Sequence, residues 1–80
     1  MHGYGSRIRL VRETLGFENQ TEFARALKIT QGTVSDWETE KTNPGRAGLL
    51  LVANLCADTE KVWHWLETGR ESPGVRPKRG

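Results

Sequence analysis

The chemistry open to this chain is hydrogen bonding and charge rather than catalysis. His2 and His64 stand far apart, Cys56 has no evident histidine partner, and there is neither a glycine-rich phosphate loop nor a metal-ligand cluster. No enzymatic activity, metal or cofactor is therefore expected. The informative stretch is residues 20 to 40. Gln31 carries an amide that can bond an adenine edge through N6 and N7, and Asp36 a carboxylate that can accept from a cytosine N4 or reject a wrong sequence. Ser35 and Thr33 are short enough to meet a phosphate or a thymine methyl. Gln20 and Thr30 stand where helices begin, and free backbone N–H groups there favour an anion such as phosphate. Each has a plainer reading beside it: a solvated glutamine on an exposed first turn, a solvated aspartate, a threonine that merely caps its helix.

These residues need rigid elements to place them, and apolar spacing supplies the plan. Ile8, Val11 and Leu15 recur at helical intervals, so a first helix is expected from a Ser6 cap to about Thr14, with Arg7 and its charged neighbours outward and Gly16 as the stop. Asn19-Gln20-Thr21-Glu22 reads as a capping box opening a second helix, with Phe23, Ala24 and Leu27 inward. Thr30 caps a third, from which Val34 and Trp37 face the core. Residues four apart share a face, so Gln31 aligns with Ser35, and Gly32 with Asp36, on the outer side. Two short helices joined by a tight turn, the second showing compact polar groups, form a unit that fits a major groove. Lys41-Thr-Asn-Pro-Gly45 breaks the pattern. A fourth helix is expected from about Arg46 to Cys56, carrying Leu50, Leu51, Ala53, Asn54 and Leu55. A fifth follows from an Asp58 or Thr59 cap, with Val62, Trp63, Trp65 and Leu66, and ends at Gly69.

The chain has 80 residues, 35% hydrophobic and 28% charged, which suits one small globular domain. Its longest apolar run, Ala47 to Ala53, falls far short of the roughly 20 residues a bilayer demands, so no membrane span is expected. The N-terminus lacks the layout of a secretory signal. Cys56 is alone and reads as a small buried hydrophobe. The net charge is only +2. Arg7, Arg9 and Arg12 make the front basic, Arg70, Arg76, Lys78 and Arg79 the back, while residues 17 to 40 lean acidic. Such a balance permits a nucleic-acid partner without demanding one.

The run from Gln20 to Glu38 resembles the DNA-binding domains of lambdoid phage repressors and Cro proteins, through Gln20, Phe23-Ala24, Ile29-Thr30, Thr33-Val34-Ser35 and Trp37-Glu38. Trp65-Leu-Glu-Thr-Gly69 looks like the closing helix of that family, and with the first helix the resemblance covers about residues 6 to 69. It implies an all-α, compact five-helix repressor-like domain containing a helix-turn-helix, which binds double-stranded DNA as a homodimer on a near-palindromic operator. By the same resemblance Gln31, Gly32 and Asp36 reach base edges, with Ser35 beside them. Gln20 touches phosphate, as do Lys41, Thr42 and Arg46 in and after the loop, and Arg12 pairs with Glu38. Glu40 stands where the family usually has glycine.

The expected layout is a flexible arm over 1–5, the domain over 6–69 and a basic mobile tail over 70–80. Trp63 and Trp65 point in different directions on one helix. Trp65 is expected inside, and Trp63 with Leu66 at the dimer surface. The implied function is a transcriptional regulator, a repressor by occupancy, in the cytoplasm of a bacterial or phage-infected cell. Two rivals stand beside it: a DNA-binding antitoxin that also grips a toxin partner, and a helical interaction module that has lost DNA binding.

Overall fold

A computed structural model describes residues 3–78 and is all-α. Five helices follow one another: α1 (Tyr4–Thr14), α2 (Gln20–Leu27), α3 (Gln31–Glu38), α4 (Gly45–Ala53) and α5 (Thr59–Thr68). α2 packs on α3 and α4 on α5, while α1 touches both α3 and α5 and so joins the two pairs. One core runs through all five, from Ile8 and Val11 through Phe23, Leu27, Val34 and Trp37 to Val52, Val62, Trp65 and Leu66. Among the described residues no helix is long and apolar enough to cross a membrane.

Local chemistry sets the helix boundaries near the site. The Asn19 side chain accepts from the Glu22 N–H and so starts α2; the Thr30 hydroxyl accepts from the Thr33 N–H and starts α3. Both helices end in the same way. Lys28 turns left-handed at φ 62°, its N–H bonding the Arg25 carbonyl and that of Ile29 the Ala24 carbonyl. Glu40 repeats this at φ 62°, with its own N–H on Trp37 and the Lys41 N–H on Asp36. This double bond pattern satisfies terminal carbonyls and reverses the chain sharply, and glycine is its usual occupant. Neither residue here is glycine, so each turn carries local strain, which at Glu40 is offset by the bonds its carboxylate makes.

Several expectations from the sequence need correction. α1 begins at Tyr4, so residues 4 and 5 belong to the helix and not to an arm; the expected arm residues 1 and 2 lie outside the described residues. Ser6 does not cap it: its hydroxyl bonds the Gly3 carbonyl from within the first turn. Arg7 does not point to solvent but folds over the end of α5, donating Nε and one terminal nitrogen to the Leu66 carbonyl at 3.3 and 2.9 Å. α4 ends at Ala53 rather than Cys56, and it is Leu49 that enters the core while Leu51 is 41% exposed.

Residues 75 to 78 of the expected mobile tail are bonded or packed against the rest of the domain. The Ala57 N–H bonds the Arg76 carbonyl, the Lys78 N–H bonds the Leu55 carbonyl, and Arg76 meets Asp58 at 3.3 Å. Val75 packs against the core and the segment shields Cys56, which is fully buried. Arg79 and Gly80 lie outside the described residues.

Candidate nucleic-acid interface

The first turn of α3 is its most exposed part: Thr30, Gln31 and Gly32 all face solvent, while Val34 and Trp37 anchor the opposite face in the core. From this turn a chain of polar contacts runs inward. Gln31 Nε2 donates to Gln20 Oε1 at 2.7 Å, and Gln20 Nε2 donates to Glu38 Oε1 at 3.1 Å. Glu38 Oε2 accepts from Arg12 Nε at 2.8 Å, and Oε1 takes a longer contact of 3.5 Å from the same guanidinium. Arg12 then donates its remaining terminal nitrogen to the Phe17 and Glu18 carbonyls, which fixes the α1–α2 link. The side chains of Arg12 and Glu38 are 8% and 5% exposed, so the anchor is dry while the far end of the chain is wet.

The chemistry of the partners dictates the direction of every bond in this chain. An ionised carboxylate only accepts, so Gln20 must turn its NH2 toward Glu38 and its carbonyl oxygen toward Gln31. Gln31 must in turn offer an N–H. That leaves Gln31 with one N–H and its carbonyl oxygen unused among the described residues. A donor and an acceptor side by side on one amide match the acceptor and donor that adenine shows in the major groove at N7 and N6. The buried ion pair thus fixes which face of an exposed side chain is presented.

The other candidate residues are distributed unevenly. Thr30 and Thr33 share a hydroxyl–hydroxyl bond of 2.8 Å at the start of α3. Asp36 is half-buried, and its backbone carbonyl accepts from both Lys41 and Thr42 N–H groups at 2.8 and 3.4 Å. That pins the loop after α3 and leaves the Lys41 and Thr42 side chains exposed. Ser35 is half-buried on the same helix, and its carbonyl accepts from the Thr39 hydroxyl. Arg46 is drawn elsewhere. It pairs through Nε with Glu67 at 3.0 Å and lies over the Trp63 ring at 5.3 Å, while its side chain stays 76% exposed. Trp63 is half-buried and donates its indole N–H to the Arg46 carbonyl. Leu66 is fully buried, so the expected place in a dimer surface gives way to a role in the core.

Residue-by-residue reasoning missed what holds the site's floor. The Glu40 carboxylate accepts from the Gly3 and Gly5 N–H groups at 2.7 and 3.0 Å. α1 has no side-chain cap of its own, so a carboxylate from the loop after α3 supplies one and meets the positive end of the helix. Gly5 makes the approach possible, since a Cβ there would run into the Glu38 carbonyl oxygen. The Tyr4 hydroxyl adds a bond to the Thr42 carbonyl at 3.1 Å. The one sequence signal for this was Glu40 itself, an acidic residue where a glycine is usual.

A helix-turn-helix family model matches residues 8–57, which is most of the chain and includes the whole run of contacts from Gln31 through Gln20 and Glu38 to Arg12. No curated protein and no solved structure matches by the same comparisons.

Proposed function

The chain belongs to the helix-turn-helix family, and from that premise we propose that it is a sequence-specific transcriptional regulator of double-stranded DNA, a repressor acting as a homodimer. The observation that carries this reading is the exposed Gln31 amide, oriented through Gln20 by the buried Arg12–Glu38 pair. An amide already turned to its bonding face loses little freedom on binding, which favours discrimination. Gln31 reads an adenine; Asp36 accepts from a cytosine or excludes other bases, with Ser35 alongside. Gln20, Thr30, Thr33, Lys41, Thr42 and Arg46 hold the sugar–phosphate backbone and set the register. Two copies joined near Trp63 place their α3 helices in successive major grooves, about 34–36 Å apart, on a near-palindromic operator. Occupancy of that site excludes polymerase.

The test is selection from a random duplex library at near-physiological salt with the folded chain. A palindrome with half-sites about one helical turn apart is expected. Gln31→Ala should then lose preference at one adenine per half-site, by about 1–3 kcal/mol, while its circular dichroism stays that of the wild type. No enriched sequence, or equal weakening of Gln31→Ala on every duplex, would overturn the reading.

A further inference from the structure

The helical glycines of this protein divide sharply by whether the fold needs them. A Cβ at Gly5 would strike the Glu38 carbonyl, and one at Gly48 would lie 2.6 Å from Pro44 Cβ and 3.2 Å from the Trp37 ring. Gly45 sits at φ 70°, where side chains are strained. Gly32 has neither reason. Its backbone is ordinary right-handed helix, and a Cβ would meet nothing within 4 Å. Alanine would fit there and would hold the helix better, because glycine gives up more backbone freedom on folding. The fold is therefore less stable for having glycine at this position, with no internal gain.

What glycine offers at an exposed position is closeness of approach by something outside the chain. Gly32 adjoins Gln31 on the first turn of α3, the turn proposed to face base edges. The surface a glycine presents there is its bare Cα, which is apolar and carries no side-chain donor or acceptor. In the major groove the base-edge feature that complements an apolar surface is the C5-methyl of thymine; the other marks are donors and acceptors. We propose that Gly32 is a specificity-determining residue whose missing side chain admits a thymine methyl against the α3 backbone, beside the base that Gln31 reads. This inference rests on the DNA-binding reading and names one further base that the operator must contain.

The experiment uses the duplex that the wild-type chain enriches, with each thymine replaced in turn by deoxyuridine, which removes only the methyl. Gly32→Ala is measured beside the wild type for thermal stability and for affinity. The variant should melt about 2–8 °C higher and bind the enriched duplex at least tenfold more weakly. Deoxyuridine at one thymine per half-site should weaken the wild type about fourfold, the worth of one buried methyl. The same replacement should strengthen Gly32→Ala, because it clears the space that the new methyl fills. Equal binding by Gly32→Ala and wild type would overturn the inference while leaving the DNA-binding reading in place. So would a weakened variant with no deoxyuridine position that affects the wild type. A wild-type chain that enriches no duplex would overturn the DNA-binding reading first, and this inference with it.

Discussion

Consider Arg12→Met, which keeps most of the aliphatic stem and removes every donor of the guanidinium. Glu38 is then left 5% exposed as a carboxylate, with the Gln20 amide as its remaining side-chain donor. The Phe17 and Glu18 carbonyls lose the nitrogen they shared. Removing one partner of a buried pair costs about 3–5 kcal/mol, chiefly because the other charge stays buried and unmatched. At about 0.05–0.15 kcal/mol per residue, a chain of this length holds only about 4–12 kcal/mol in total. The substitution should therefore consume a quarter of the stability or more, and at about 4–8 °C per kcal/mol lower Tm by more than about 12 °C. Urea unfolding followed by tryptophan fluorescence and by circular dichroism measures the loss. Removing both charges with Arg12→Met and Glu38→Met should cost less than Arg12→Met alone, since no orphan charge remains. A loss below about 1 kcal/mol for Arg12→Met, the range of an exposed pair, would refute the buried-anchor argument. Simple additivity in the double variant would do the same.

The remaining expectations concern the loop after α3 and the core thiol. Glu40→Gly relieves a left-handed side chain but strips the cap from α1, and two charge-assisted bonds outweigh the strain, so a net loss of about 1–2 kcal/mol is expected. Glu40→Gln keeps an acceptor and should lose about 0.5–1 kcal/mol; a Glu40→Gly variant that unfolds at higher urea than wild type would contradict the capping role. Burial pushes the Cys56 thiol up to about 11, against a smaller opposing pull from Lys78. A raised thiol pKa means stability is intact below about 9 and declines as pH climbs toward about 11. The thiol should react with an aromatic disulfide at neutral pH only at the rate of unfolding, and immediate reaction in the folded state would contradict its burial.

The features legible in the sequence are those decided within a few residues of themselves. The Asn19 and Thr30 caps, the Gly69 stop and the inward faces of α2 and α3 follow from a side chain and the backbone one turn away. Spacing also separated Trp65, buried, from Trp63, half-buried. Where periodicity is weak the reading slipped. Three successive leucines, Leu49 to Leu51, give no phase of their own, and it is tertiary packing that puts Leu49 in the core and leaves Leu51 exposed. Contacts far apart along the chain were beyond reach. Arg7 looked like a solvent charge because its acceptor, the Leu66 carbonyl, belongs to the last helix. Glu40 stood out only as a departure from the usual glycine, because the N–H groups it satisfies belong to the first. The C-terminal segment looked mobile from its proline, glycine and charge, yet backbone bonds to Leu55 and Ala57 need no particular side chain and leave no compositional trace.

The position of the buried charge is itself informative. A core this small would be as stable, or more so, with apolar side chains of similar volume in place of Arg12 and Glu38. Stability alone therefore does not account for an ion pair there. Its particular property is direction: a carboxylate accepts and never donates, so it sets the Gln20 amide one way round, and Gln20 sets Gln31. An apolar core would leave both amides free to flip, and Gln31 would offer either face to whatever it met. The same trade appears one residue along, where Gly32 gives up helix stability with no return inside the fold. Both departures from a maximally stable sequence converge on the first turn of α3. Sequence features that weaken a fold are expected where a ligand binds, because only the bound state recovers the loss. The two observations are physically independent, one a buried charge and the other a missing side chain, and they point to the same few ångströms of surface.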